Sequence, residues 1–179
     1  MAATLDAHGR AVIDVIAREE ALRLGPEGSL VGILSRPLAP GADLPVIIFL
    51  NAGVIHRIGP HRLHVILARR LAASGFTSLR LDLSGIGDSD AVPGGASFWQ
   101  RAVDDARAAM DQLGEAGGAR RFVLFGLCSG ADNAIATALV DDRVIGLVVL
   151  DPHTYVTPRS RARKLVARAR ALGGVRRLV

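Results

Sequence analysis

The stretch from Arg121 to Gly130, RFVLFGLCSG, constrains this chain more than any other. Phe122, Val123, Leu124 and Phe125 read as a buried strand that runs straight into Gly126-Leu127-Cys128-Ser129-Gly130. A helical pattern then starts at once with Ala131, Ala134, Ile135, Ala138 and Leu139. A strand, a turn with glycines two residues either side of its centre, and a helix make the layout of a nucleophile elbow. Side chains at the flanking positions would collide in so tight a turn, which is why glycine stands there. The central side chain is left pointing out over the sheet edge.

Register decides which side chain that is. Centred on Cys128, both flanking positions are glycine; centred on Ser129, they are Leu127 and Ala131, which crowd the turn. Cys128 is the preferred nucleophile, with Ser129 as the lesser alternative. A thiolate at the start of a helix gains from the helix dipole, which lowers its pKa and raises its reactive fraction. An inert cysteine among Phe125 and Leu127 is the bland reading, and the glycine frame argues against it.

The rest of the chain supplies strands and helices in alternation. Glu20–Leu24 and Leu30–Ser35 read as two strands around a hairpin-type turn at Gly25-Pro26-Glu27-Gly28. Residues 1–19 suit either a strand or a short helix, given Val12, Ile13, Val15 and Ile16. Val46–Leu50 is apolar on both faces, as a central strand covered by helices should be. Leu63, Ile66, Leu67 and Leu71 recur at helical spacing before Gly75, and Phe76–Leu81 forms the next strand. Ser97 is a candidate N-cap for a helix whose buried face is Phe98, Ala102, Ala106, Met110 and Leu113. Asp104, Asp105 and Asp111 fall on its wet side by the same period. Val144–Leu150 is expected to be one more buried strand.

Such alternation predicts an α/β fold with a mostly parallel sheet flanked by helices. Ligands gather at the carboxyl ends of parallel strands. Asn51-Ala52-Gly53, Asp82 to Ser89, Cys128 and Asp151-Pro152-His153 all fall at such ends and share one rim.

Composition excludes several alternatives. No apolar run approaches the ~20 residues of a membrane span, and no basic-then-apolar leader opens the chain, so a cytoplasmic protein is expected. A lone cysteine excludes an internal disulfide and a multi-thiolate metal site. The net charge of +5 comes from the segment after residue 152, with eight basic residues and no acid. The body keeps fourteen basic residues against seventeen acidic ones, so it is not a nucleic-acid surface by charge. Gly85-Ile86-Gly87 lacks the third glycine of a dinucleotide fingerprint, because position 90 is Asp90. Leu165, Val166, Ala169 and Leu172 give the basic segment a modest apolar face, the pattern of a solvated helix or a weak docking contact with membrane or protein.

Taken together, three motifs resemble the α/β-hydrolase superfamily over roughly residues 20–155. They are Phe49-Leu50-Asn51-Ala52-Gly53, Asp82-Leu83-Ser84-Gly85-Ile86-Gly87-Asp88-Ser89 and Gly126-Leu127-Cys128-Ser129-Gly130. Cysteine at the elbow is similar to dienelactone-hydrolase-like members, and the whole chain is similar to hydrolases associated with bacterial exosortase systems. The resemblance implies attack by Cys128 on an ester, thioester or lactone carbonyl, with no metal or organic cofactor. It also implies an oxyanion hole built from the backbone N–H groups of Ser129 and of the loop near Gly53. Where the family usually has His-Gly, this chain has Asn51-Ala52.

Family order is nucleophile, acid, histidine. After Cys128 the chain holds Asp132, Asp141, Asp142, Asp151 and a single histidine, His153. The working assignment is Asp151 as acid and His153 as base, although two residues is an awkward spacing for a triad. His56, His61 and His64 are the alternatives upstream. A complete member would continue with a lid, further strands and a later histidine, so the expected organisation is a core over 1–155 and a basic helical tail, or the start of a lid, over 156–179. The partner expected is a small acyl substrate, with no nucleic acid. A truncated, non-catalytic binding subunit is the competing expectation.

Overall fold

The computed structural model of the chain describes residues 4–5, 11–12, 17–39, 43–92, 94 and 96–153. Ile13, Val15, Ile16 and the basic segment 156–179 lie outside the described residues. Two short strands, β1 (Thr4–Leu5) and β2 (Ala11–Val12), pair antiparallel with each other. The six-stranded sheet follows: β3 (Ala17–Leu24), β4 (Leu30–Pro37), β5 (Val46–Phe49), β6 (Ser78–Asp82), β7 (Phe122–Leu127) and β8 (Val144–Leu150). Helices α1 (Leu63–Ala73), α2 (Phe98–Gly117) and α3 (Ser129–Ala138) connect the parallel part.

The strand order is β3-β4-β6-β5-β7-β8. Pairing is antiparallel from β3 through β4 to β6, and parallel from β6 through β5 and β7 to β8. The expected α/β fold is therefore observed, with an antiparallel hairpin on one flank. Leucine- and isoleucine-rich strands alternate their side chains between two helical layers. Ile47 and Phe49 pack with Ala68 of α1 and with Phe125. Ile48, Leu50, Leu79, Leu81 and Leu124 pack with Ala102, Ala106, Ala109 and Met110 of α2 and Ala134 of α3. Each such leucine, isoleucine, phenylalanine or methionine side chain, fully withdrawn from water, contributes roughly 1.5–3 kcal/mol.

Three local expectations change. Asp105 is buried rather than wet, because the turn after β6 folds over α2. Its carboxylate accepts hydrogen bonds from the Ser84 N–H (2.7 Å) and the Ser84 hydroxyl (2.8 Å). Burial nevertheless raises its pKa above the ordinary carboxylate value, the two Ser84 bonds only partly offsetting it. Phe98, assigned to the buried face of α2, is exposed. Strand β8, expected to be buried, is the outermost strand of the sheet among the described residues and exposes Ile145, Leu147, Val148 and Leu150. Ser97 does cap α2, accepting from the Gln100 N–H at 3.3 Å.

No helix among the described residues is long and apolar enough to cross a membrane.

Candidate active site

The parallel strands β5 to β8 deliver Asn51, Asp82, Cys128 and Asp151 to the same rim, as their C-terminal ends require. The elbow is built as the sequence implies. Cys128 adopts φ 55° and ψ −123°, backbone that an L side chain enters only when the surroundings impose it. The imposition is visible on both sides. A Cβ on Gly126 would lie 2.1 Å from the Gly130 carbonyl oxygen, and one on Gly130 would lie 2.5 Å from the Asn51 carbonyl oxygen. The Cys128 N–H donates to the Leu150 carbonyl at 2.9 Å, which ties the turn to β8. Cys128 itself is partly exposed and free of any disulfide. Ser129 is the first residue of α3, not the tip.

Two backbone N–H groups flank this tip. The Ser129 N–H belongs to the first turn of α3, where helical N–H groups have no intrahelical acceptor. The Gly53 N–H donates to the Ser129 Oγ at 2.8 Å, so the loop predicted to complete an oxyanion hole leans on the elbow. Asn51, standing where the resembled family has histidine, is buried and holds that loop in place. Its Nδ2 donates to the Ile55 carbonyl and to Asp82 Oδ1, each at 3.0 Å, and its Oδ1 accepts from the Leu83 N–H at 2.8 Å.

Asp82 is the hub of this half of the rim. Besides Asn51, it accepts from the Arg57 N–H (2.6 Å), Arg57 Nη1 (2.5 Å) and the Asp88 N–H (3.2 Å). Arg57 Nη2 reaches Asp88 at 2.6 Å. Burial alone would depress the Arg57 pKa, but hydrogen bonds to Asp88 and Asp82 hold it above its ordinary value. Gly87 packs so tightly on Asp82 that a Cβ there would sit 2.1 Å from Oδ2. The glycine pair after β6 therefore shapes a turn around a carboxylate and has no phosphate cradle to form.

The histidines separate clearly. His153 follows β8, and its Nδ1 lies 2.5 Å from Asp132 Oδ2 while its N–H donates to Asp132 Oδ1 at 3.0 Å. The carboxylate that orients His153 is thus Asp132, not Asp151. Asp151 is exposed on a positive-φ turn (φ 49°) and makes no hydrogen bond to His153. Asp132 comes up from the first turn of the neighbouring helix and reaches both the backbone and the ring of His153. Asp132 is buried and the His153 ring is largely exposed, with Nε2 turned away from its acid partner. Asp132 is the residue that sequence spacing passed over. Its signal was an acid four residues, one helical turn, beyond Cys128.

His56 and His61 are exposed on the loop before α1. His64 is sealed beneath the sheet against Phe49 and Phe125, at centroid distances of 5.3 and 5.6 Å. Among the described residues neither of its ring nitrogens has a hydrogen-bond partner, and burial pushes its pKa down to about 4. It is a neutral packing residue. Chemically, the rim presents a thiol at a helix start, the Ser129 N–H beside it, a loop N–H bonded to the Ser129 hydroxyl, and an acid-oriented imidazole on the adjacent strand end. These are the parts of a nucleophilic acyl-transfer site.

Residues 50–176 match the model of a family described as serine aminopeptidase, S33. No curated protein matches the chain. Solved structures do. A hypothetical protein from Pseudomonas aeruginosa superposes with a TM-score of 0.63 at 22% identity, covering 93% of this chain and 57% of its own. An esterase from Pyrococcus furiosus gives a TM-score of 0.66 at 17% identity, covering 78% and 52%. An α/β hydrolase from a Penicillium species gives 0.63 at 20%, covering 87% and 53%. The chain spans a little over half the length of these structures, and at such identities the likeness establishes the fold.

Proposed function

The chain belongs to the serine aminopeptidase S33 family of α/β-hydrolases, and from that premise we propose that it transfers acyl groups to water with Cys128 as the nucleophile. The observation that carries the proposal is the Cys128 backbone at φ 55°, held there by two glycines that admit no side chain. Strain of this kind persists only where neighbouring structure enforces it. At a helix start it aims a thiol at whatever lies over the rim.

The steps follow from the groups present. The Cys128 thiolate attacks the carbonyl carbon of an ester, thioester or lactone, and the carbonyl π electrons move onto oxygen. Donors at the elbow hold that oxyanion. His153, kept in one orientation by Asp132 through Nδ1, takes the thiol proton on Nε2 and returns it to the leaving group. The same imidazole then deprotonates a water that cleaves the acyl-thioester and restores the thiol. Asp132 takes the orienting role that sequence order assigned to Asp151.

The test is turnover of p-nitrophenyl acetate and butyrate by the parent chain, Cys128→Ala and His153→Ala. We expect activity to vanish in Cys128→Ala and to fall about 100-fold or more in His153→Ala. A burst of one equivalent without turnover would leave a nucleophile lacking its base and favour a binding or partner subunit. No reaction of the parent with either ester or with iodoacetamide would refute the nucleophile.

A further inference from the structure

The loop N–H expected to bind an oxyanion already has an acceptor. Gly53 N–H donates to the Ser129 Oγ at 2.8 Å, an ordinary, well-made hydrogen bond. An N–H so engaged is not pointing at the space beside Cys128. The hydroxyl that receives it still carries a proton, and among the described residues that proton has no acceptor. Ser129 also follows Cys128 directly and opens α3, so its N–H and its hydroxyl both belong to the residue next to the thiol.

We infer that the Ser129 hydroxyl, polarised by the Gly53 N–H, is the second oxyanion donor of this site, so that the loop acts through it rather than directly. The inference rests on the acyl-transfer function proposed above and names a catalytic group within it. A hydroxyl that accepts a hydrogen bond becomes a better donor, because chains of hydrogen bonds polarise one another. As the Cys128 Sγ–C bond forms, charge on the former carbonyl oxygen is met by the Ser129 N–H and the Ser129 O–H. No proton leaves Ser129 in this step; it donates and keeps its hydrogen. The arrangement also accounts for Asn51 in the loop. With the loop acting one bond removed from the substrate, its task is to hold Gly53 against Ser129, and Asn51 does so through Ile55 and Leu83.

The competing possibility is that Ser129 blocks a donor which must be freed before reaction. The two make opposite predictions for Ser129→Ala, which removes the hydroxyl and releases the Gly53 N–H. Single-turnover acylation by p-nitrophenyl acetate should slow about 100-fold in Ser129→Ala if the hydroxyl is the donor. Half-saturation should hardly move, because the charge exists only in the transition state. Alkylation of Cys128 by iodoacetamide passes through no oxyanion, so its rate and pH profile should stay at the parent values. Ser129→Thr, which keeps the hydroxyl, should recover most of the acylation rate.

Acylation in Ser129→Ala that equals or exceeds the parent rate would overturn the inference and leave acyl transfer standing. Loss of alkylation as well as acylation would show a displaced thiol and overturn it too. A parent chain that is alkylated but never acylated would instead refute acyl transfer itself, and the oxyanion role with it.

Discussion

The two halves of the rim are made on opposite terms. At the ends of β5 and β6, Asn51, Arg57, Asp82 and Asp88 form a network in which the buried carboxylate of Asp82 accepts from three other residues. At the ends of β7 and β8, Cys128 sits at a forced φ, His153 is largely exposed and β8 shows apolar side chains at the sheet edge. The first half spends its polar groups on one another. The second leaves a thiol, two donors and an imidazole nitrogen with capacity to spare. The contrast teaches where to look for chemistry: in a rim of polar residues, the reactive ones are those whose hydrogen-bonding capacity is unspent.

The contrast can be broken at its strongest point. Asp82→Ala removes the hub and leaves Arg57 half-buried with only exposed Asp88 as partner, which should cost about 3–5 kcal/mol in urea unfolding. A loss below 1 kcal/mol would mean that the network is not what holds this half.

Beneath both halves lies His64, and its response is a matter of pH. Its folded-state pKa of about 4 lies below the unfolded value of about 6.5. The unfolded chain therefore binds the proton first, so stability present above pH 6.5 is lost as pH falls toward 4. His64→Leu should spare about 2 kcal/mol of that loss, read as the difference in unfolding free energy between pH 7 and pH 4.5. Equal pH dependence in the two chains would contradict a neutral, unpartnered imidazole.

On the reactive half, Asp132→Asn should lower ester turnover about 100-fold while moving the unfolding midpoint far less than Asp82→Ala does. Asp151→Asn should leave turnover near the parent value, since the carboxylate bonded to His153 is that of Asp132. The reverse ranking would reinstate Asp151 as the acid. Smallest of all is Asp88→Asn, which removes only the exposed arm of the Arg57 pair and should not shift the midpoint measurably.

These contrasts also explain what the sequence could and could not disclose. The elbow was legible because steric exclusion writes itself into residue type: Gly126 and Gly130 have no room for a Cβ. Ser97 was legible because a cap acts within one turn. Asp132 was not, because its meaning depends on His153 arriving from another strand end. Asp105 looked wet because helical period reports one helix alone, while the Ser84 turn that covers it comes from elsewhere in the chain. For β8, apolar content announced a strand but could not say that it would be the outermost one among the described residues.

One contact has a wider consequence. Gly130 meets the Asn51 and Leu50 carbonyls with no side chain between them, so the nucleophile turn and the facing loop touch backbone to backbone. Their separation is fixed by atoms that no substitution can trim further. Variation in what such a rim accepts must therefore come from segments laid over it, and the spacing between thiol and donors passes unchanged from one specificity to the next.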